Sequence, residues 1–208
     1  EDKTLPKKRL VAFPTREAHG LIWAWMGDPK AIDKEPFPVP YWNDDGWRSY
    51  FMITMFDNDV TNCVENFMDV PHTVFVHSKW FRNKANKRVP ATVERTDDSV
   101  LVTYHQEADT VGFHGRVLNP TGEPMTHSDK FYMPNVTRVD YDFGSNRSFM
   151  ITSQCTPETA TRTRVYTAIT YRLGGRLLNK IGSLFMPAYT RKVIDQDVVI
   201  MRNQGESL

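Results

Sequence analysis

The 208-residue chain is 40% hydrophobic and 25% charged, with a formal net charge of +1. Such a balance suits a globular protein that buries roughly 70% of its extended-chain surface, and it offers no basic excess to attract nucleic acid or an anionic membrane. No apolar run approaches the roughly 18 residues of a membrane span, and "EDKTLPKKRL" lacks the apolar stretch of a signal peptide.

Two cysteines, Cys63 and Cys155, are too few for a disulfide framework or a four-thiolate site, and they fit a reducing cytoplasm. The chain opens on Glu1, so we expect a piece of a longer protein. In "RLVAFPTREAHGLIWAWMGDP" a short strand, a turn at His19-Gly20 and an aromatic strand through Trp25 follow one another. "AIDKEPFPVPYWNDDG" is rich in proline and acids and reads as a linker. "WRSYFMITMFDN" predicts a strand, and the spacing turns helical from about Val60 to Met68. "RNKANKRVP" reads as a solvated basic loop, with a docking surface for an acidic partner as the other reading.

From Ala91 to Leu173 the pattern is β. "ATVERT" and "VLVTYHQ" flank a hairpin turn at Asp97-Asp98-Ser99. "KFYMP" and "TRVDYDFG" follow, and then "RSFMITSQCTP" and "TRVYTAITYRL", two long runs expected to pair antiparallel. After Gly174-Gly175 a helix is predicted over 176–184, interrupted by Pro187, with a second over 188–204. This order predicts an α+β fold, a curved antiparallel sheet wrapped around helices in a helix grip that encloses an apolar cavity.

The chemistry concentrates in "ENFMDVPHTVFVH", residues 65–77. Glu65, Asp69 and His72 fall within about 60° on one helical face, while a regular helix puts His77 about 140° from His72. A kink or restart at Pro71 would bring the two imidazoles together as a chelate for a divalent transition metal. A third ligand must come from elsewhere, and "TRKVIDQDVVIMRNQ" offers two acids. Val193, Ile194, Ile200 and Met201 lie within about 60° of Asp197, whereas Asp195 points about 160° away. An acid centred on an apolar stripe with no Lys or Arg needs a cation, which selects Asp197. Two histidines and one carboxylate with open positions suit non-haem Fe(II).

Glu65-x3-Asp69-x2-His72-x4-His77 resembles the mononuclear-iron motif of the Rieske non-haem iron oxygenases. "DQDVVIMRNQ" is similar to the segment that brings the third ligand in their monooxygenase and O-demethylase-like branches, and "EAHGLIWAWMGDP" to the segment that closes their Rieske domain. The resemblance implies a START-like catalytic domain over 46–208, preceded over 1–45 by the remnant of a Rieske domain and a linker. It makes His72, His77 and Asp197 the iron ligands and Asp69 the bridging acid that passes electrons between subunits of a homotrimer. The implied reaction is oxygenation by O2, hydroxylating or demethylating an apolar or aromatic small molecule, with a reductase or ferredoxin as electron donor.

Paired Cys-x-His and Cys-x2-His ligands for a [2Fe–2S] cluster do not occur in this sequence. The cluster is therefore expected from a region upstream of Glu1. Phe113, Phe131, Met133, Phe149, Phe185 and Met186 are candidate pocket side chains. Two other readings use the same residues: a helix-grip module that binds a hydrophobic ligand without chemistry, and a zinc hydrolase. The first leaves the ligand set unexplained, and the second lacks a glutamate placed as base.

Overall fold

The computed structural model describes residues 12–77, 89–105, 119–120 and 125–205. The chain divides into two compact units, Glu1–Pro40 and Tyr41–Leu208.

In the first unit, β1 (Thr15–Ala18) pairs antiparallel with β2 (Leu21–Ala24), with Ala18 opposite Leu21. His19 (φ 55°) and Gly20 (φ 74°) form the two-residue turn predicted between them. Positive φ at both central positions gives the turn a twist that matches the flanking strands, and glycine adopts it without steric cost. The Asp28 side chain accepts from the Lys30 backbone N–H and starts a single 3-10 turn, Pro29–Ala31.

The second unit is built on one seven-stranded antiparallel sheet. Its strands are β3 (Arg48–Phe56), β4 (Ala91–Arg95), β5 (Ser99–Tyr104), β6 (Thr126–Tyr132), β7 (Val136–Asp142), β8 (Arg147–Thr159) and β9 (Arg162–Leu173). Their spatial order is β3-β9-β8-β7-β6-β5-β4, so the first strand closes beside the last. β8 and β9 pair along nearly their whole length, as their lengths and the polar turn between them predict, with one irregularity between Pro157 and Thr159.

Helices α1 (Val60–Met68) and α2 (His72–Val76) lie between β3 and β4 in sequence, and α3 (Arg176–Gly205) follows β9. Strand alternation puts Phe149, Ile151, Thr167 and Ile169 on the face that meets the helices. Ala168 and Thr170, on the opposite face, are buried as well. One core cluster joins Met52, Tyr141, Phe149, Ile169, Tyr171 and Met186, and a second joins Phe56, Cys63, Cys155, Val165, Ile194 and Met201. The predicted α+β helix grip is the observed fold.

The predicted break at Pro187 is absent: α3 runs unbroken through it. Pro187 is exposed, so its ring and the carbonyl it leaves unpaired one turn earlier face water. The other side of the helix buries Gly182, Met186, Tyr189 and Thr190, and that packing outweighs one lost backbone bond. Gly182 permits the close approach, because an added Cβ would lie 2.6 Å from Leu173 Cδ1 and 3.2 Å from Tyr171 Cε2. The basic loop falls almost entirely outside the described residues.

Candidate metal centre

Asp59 starts α1 by accepting from the Asn62 backbone N–H at 2.7 Å. The helix ends at Met68 because Asp69, its C-cap, leaves helical geometry with ψ 84°. Pro71 then takes φ −52° and ψ −35° at the N-cap of α2, where a missing backbone donor costs nothing. The restart at Pro71 is thus present. It makes His72 the first residue of α2 and His77 its C-cap.

The two imidazoles converge. His72 Nε2 and His77 Nε2 are 3.3 Å apart, and Asp197 Oδ1 lies 3.5 Å from the first and 3.1 Å from the second. Among the described residues, these three form a group whose ligand atoms all lie within 4.8 Å of one another. Asp197 is 4% exposed, and Asp195 is exposed, as the helix phase predicts. Ile194 and Met201 flank Asp197 in the core, but Ile200 is 45% exposed and lies outside the buried stripe.

Each ring is oriented through its other nitrogen. His72 Nδ1 donates to the Asp69 backbone carbonyl, and His77 Nδ1 donates to Gln196 Oε1 at 2.7 Å. Donation from Nδ1 leaves the lone pair of a neutral imidazole on Nε2. Three lone-pair atoms therefore face one point, and buried Asp197 Oδ1 has no hydrogen-bond partner. This is the donor set of a divalent cation, and the residues fit one. Without an ion, burial by itself lowers the His77 pKa, but Asp197 and Gln196 outweigh it and the net shift is upward. Burial raises the Asp197 pKa, the two histidines lower it more, and the net shift is downward.

Asp69 sits one turn before His72 as expected, but its exposed side chain is not what orients that ring; its carbonyl is. Glu65 is exposed and stands outside the three-residue group. Sequence reasoning missed Gln196: a helical wheel gives a flanking position no distinction, and only the ring of His77 from another helix reveals its task.

A cavity of about 820 Å³, its open mouth included, adjoins His72, His77 and Asp197. Its walls are largely apolar, with Met52, Phe67, Phe149, Ile151, Ile169 and Val193 among them. Of the candidate pocket side chains, Phe149 lines it. Met186 instead sits in the core under α3. Phe131 is half-buried away from the lining, Met133 is 56% exposed just past the end of β6, and Phe185 is 37% exposed on the outer side of α3. Apolar character alone does not reveal which way a side chain turns. Phe113 lies outside the described residues.

The chain is similar to known proteins in sequence and in fold. The chain is 28% identical over 91 residues to a vanillate O-demethylase oxygenase subunit of Pseudomonas sp. (strain ATCC 19151), covering 43% of this chain and 28% of that protein. It is 27% identical over 134 residues to the oxygenase component of chloroacetanilide N-alkylformylase from Rhizorhabdus wittichii, covering 61% and 37%. The chain thus spans about a third of these relatives.

In fold it is similar to dicamba monooxygenase bound to 3,6-dichlorosalicylic acid, with a TM-score of 0.75 at 19% identity over 93% of this chain and 60% of that one. It is also similar to NdmA of Pseudomonas putida CBB5 with caffeine, with a TM-score of 0.72 at 19% identity over 97% and 56%. The vanillate O-demethylase oxygenase C-terminal domain family matches residues 56–208, and the chain belongs to that family of Rieske oxygenase catalytic domains.

Proposed function

We propose that this chain is the catalytic part of a Rieske-type non-haem iron oxygenase, with His72, His77 and Asp197 holding Fe(II). The observation that carries this reading is the meeting of two Nε2 lone pairs and the unpartnered Asp197 Oδ1 within 3.1 to 3.5 Å of one another. Residues 46–208 form the catalytic domain, and 1–45 are the end of a Rieske domain and its linker. The bound iron supplies activation of O2 for hydroxylating or demethylating an apolar or aromatic small molecule, and a Rieske [2Fe–2S] cluster in a region outside this sequence supplies its electrons.

The chain's own residues then have separable tasks. Gln196 and the Asp69 carbonyl hold the two rings with Nε2 turned inward. The apolar walls bind the substrate and exclude water from the reacting groups. The Asp69 carboxylate, exposed beside the centre, is the bridging acid toward a neighbouring subunit of a homotrimer. A reductase or ferredoxin is the outer partner. No helix among the described residues is long and apolar enough to cross a membrane, and the free thiols of Cys63 and Cys155 support a cytoplasmic setting.

Metal analysis of the full-length protein tests the assignment. His77→Ala and Asp197→Ala are expected to lose iron and Asp195→Ala to retain it. Asp69→Asn is expected to retain iron and lose turnover. Iron kept by Asp197→Ala, or lost from Asp195→Ala instead, would overturn the ligand set; normal turnover in Asp69→Asn would remove the bridging role.

A further inference from the structure

Two carboxylate oxygens in the cavity wall are buried without a hydrogen-bond partner, one on Asp197 and one on Asp129. The metal accounts for the first. The second belongs to the sheet rather than the helices. Asp129 stands on β6 opposite Val139 of β7 and is fully buried. Its Oδ1 accepts from His127 Nε2 at 3.0 Å. His127 is fully buried too, its ring stacked between Tyr104 at 4.6 Å and Tyr141 at 4.4 Å.

That sandwich fixes the imidazole plane, so Oδ1 is committed to His127 and Oδ2 remains as an acceptor. A buried acceptor without a donor destabilises a fold, and such groups are rare in native structures. Asp129 belongs to the lining of the cavity, and the soft terminal torsion of an aspartate lets Oδ2 adjust to a donor that enters there. Three hydroxyls of the lining are already engaged: Ser153 Oγ and Thr167 Oγ1 face each other at 3.2 Å, and Thr190 Oγ1 is shared with Tyr50 and the Met186 carbonyl. Asp129 is thus a carboxylate of the sheet wall with an acceptor oxygen to spare.

We infer that Asp129 anchors the substrate by accepting a hydrogen bond from a neutral donor on it, so that this protein selects phenols over aromatic carboxylates and sulfonates. A negative oxygen at this wall attracts an O–H and repels an anion. Vanillate, in the name of one relative, carries a carboxylate beside its phenol, so the inference sets this chain apart by the exclusion of that anionic group. It rests on the oxygenase reading only in taking the cavity as the substrate site.

Calorimetric titration of the iron-loaded full-length protein without oxygen tests it, using 2-methoxyphenol, 1,2-dimethoxybenzene and 2-methoxybenzoate as probes. We expect 2-methoxyphenol to bind about ten-fold more tightly than the diether, and the benzoate to bind most weakly. In Asp129→Leu the phenol preference is expected to fall to about one. Asp129→Asn lifts the repulsion, so 2-methoxybenzoate gains affinity by about ten-fold, a gain that misfolding does not produce. The same ratios measured on iron-free Asp197→Ala separate the two readings: a ratio that persists there comes from Asp129 whatever becomes of the iron assignment. Equal affinity for phenol and diether in the unaltered protein, no phenol binding, a benzoate bound as well as the phenol, or variants that leave the ratios unchanged would each overturn the inference.

Discussion

Gln196 does for His77 what the Asp69 carbonyl does for His72: it accepts the Nδ1 hydrogen bond and so leaves the Nε2 lone pair facing the candidate metal centre. A ligand held in this way needs no reorientation when the ion arrives. Gln196→Leu leaves the donor atoms in place but removes that acceptor. Its iron affinity is expected to fall by about 10- to 100-fold in a metal titration, with the fold unchanged by circular dichroism. An unchanged affinity would show that the α2 backbone alone orients the ring. At this scale the sequence was legible where a residue type clashed with its surroundings. Asp197 on an apolar stripe and His72 beyond Pro71 both announced themselves. Gln196 and the His127–Asp129 pair did not, because a glutamine at a helix flank and two polar residues in strand alternation are ordinary until their partners are known.

The elements tell the same story through packing. α3 carries Gln196 and Asp197 on a 30-residue helix whose position on β9 is set by the missing side chain at Gly182. Gly182→Ala puts a methyl within 2.6 Å of Leu173 Cδ1, and both Leu173 and Tyr171 are buried. Interior overpacking of this kind costs about 1–3 kcal/mol, so the urea midpoint is expected to fall despite the better helix propensity of alanine. A midpoint that rises would mean that Leu173 yields freely. The predicted split at Pro187 failed for a related reason: a local rule about one backbone bond met a buried face spanning both sides of the proline. The paired lengths of β8 and β9, by contrast, are local information and were readable directly.

At the scale of the whole molecule, the sheet order was not readable. Nothing in the apolar pattern of "WRSYFMITMF" says that β3 lies beside β9 rather than β4; the last pairing of a sheet is a long-range choice. The cores so formed have a pH signature. Burial pushes the Cys63 thiol from 9.0 up to about 11 and the Tyr189 phenol from 10.0 up to about 12, and it raises Cys155 and Tyr50 as well. These groups ionise in the unfolded chain before they do so in the folded one. Their contribution is whole below about pH 9 and is lost as pH rises through the folded values, so denaturant midpoints are expected to decline between about pH 9 and 12. A flat profile there would mean that these side chains reach water in the native state.

Gln196, which steadies His77, comes 119 positions after it in the chain. Six of the seven described strands of the sheet and the start of the last helix must find their places before the carboxylate beside it meets the two rings. On the proposed ligand set, a nascent or half-assembled polypeptide would thus offer an incoming ion only a weak pair of imidazoles, and tight capture would wait until the architecture is finished. On the iron reading, occupancy of the centre would in this way be a certificate of completed assembly.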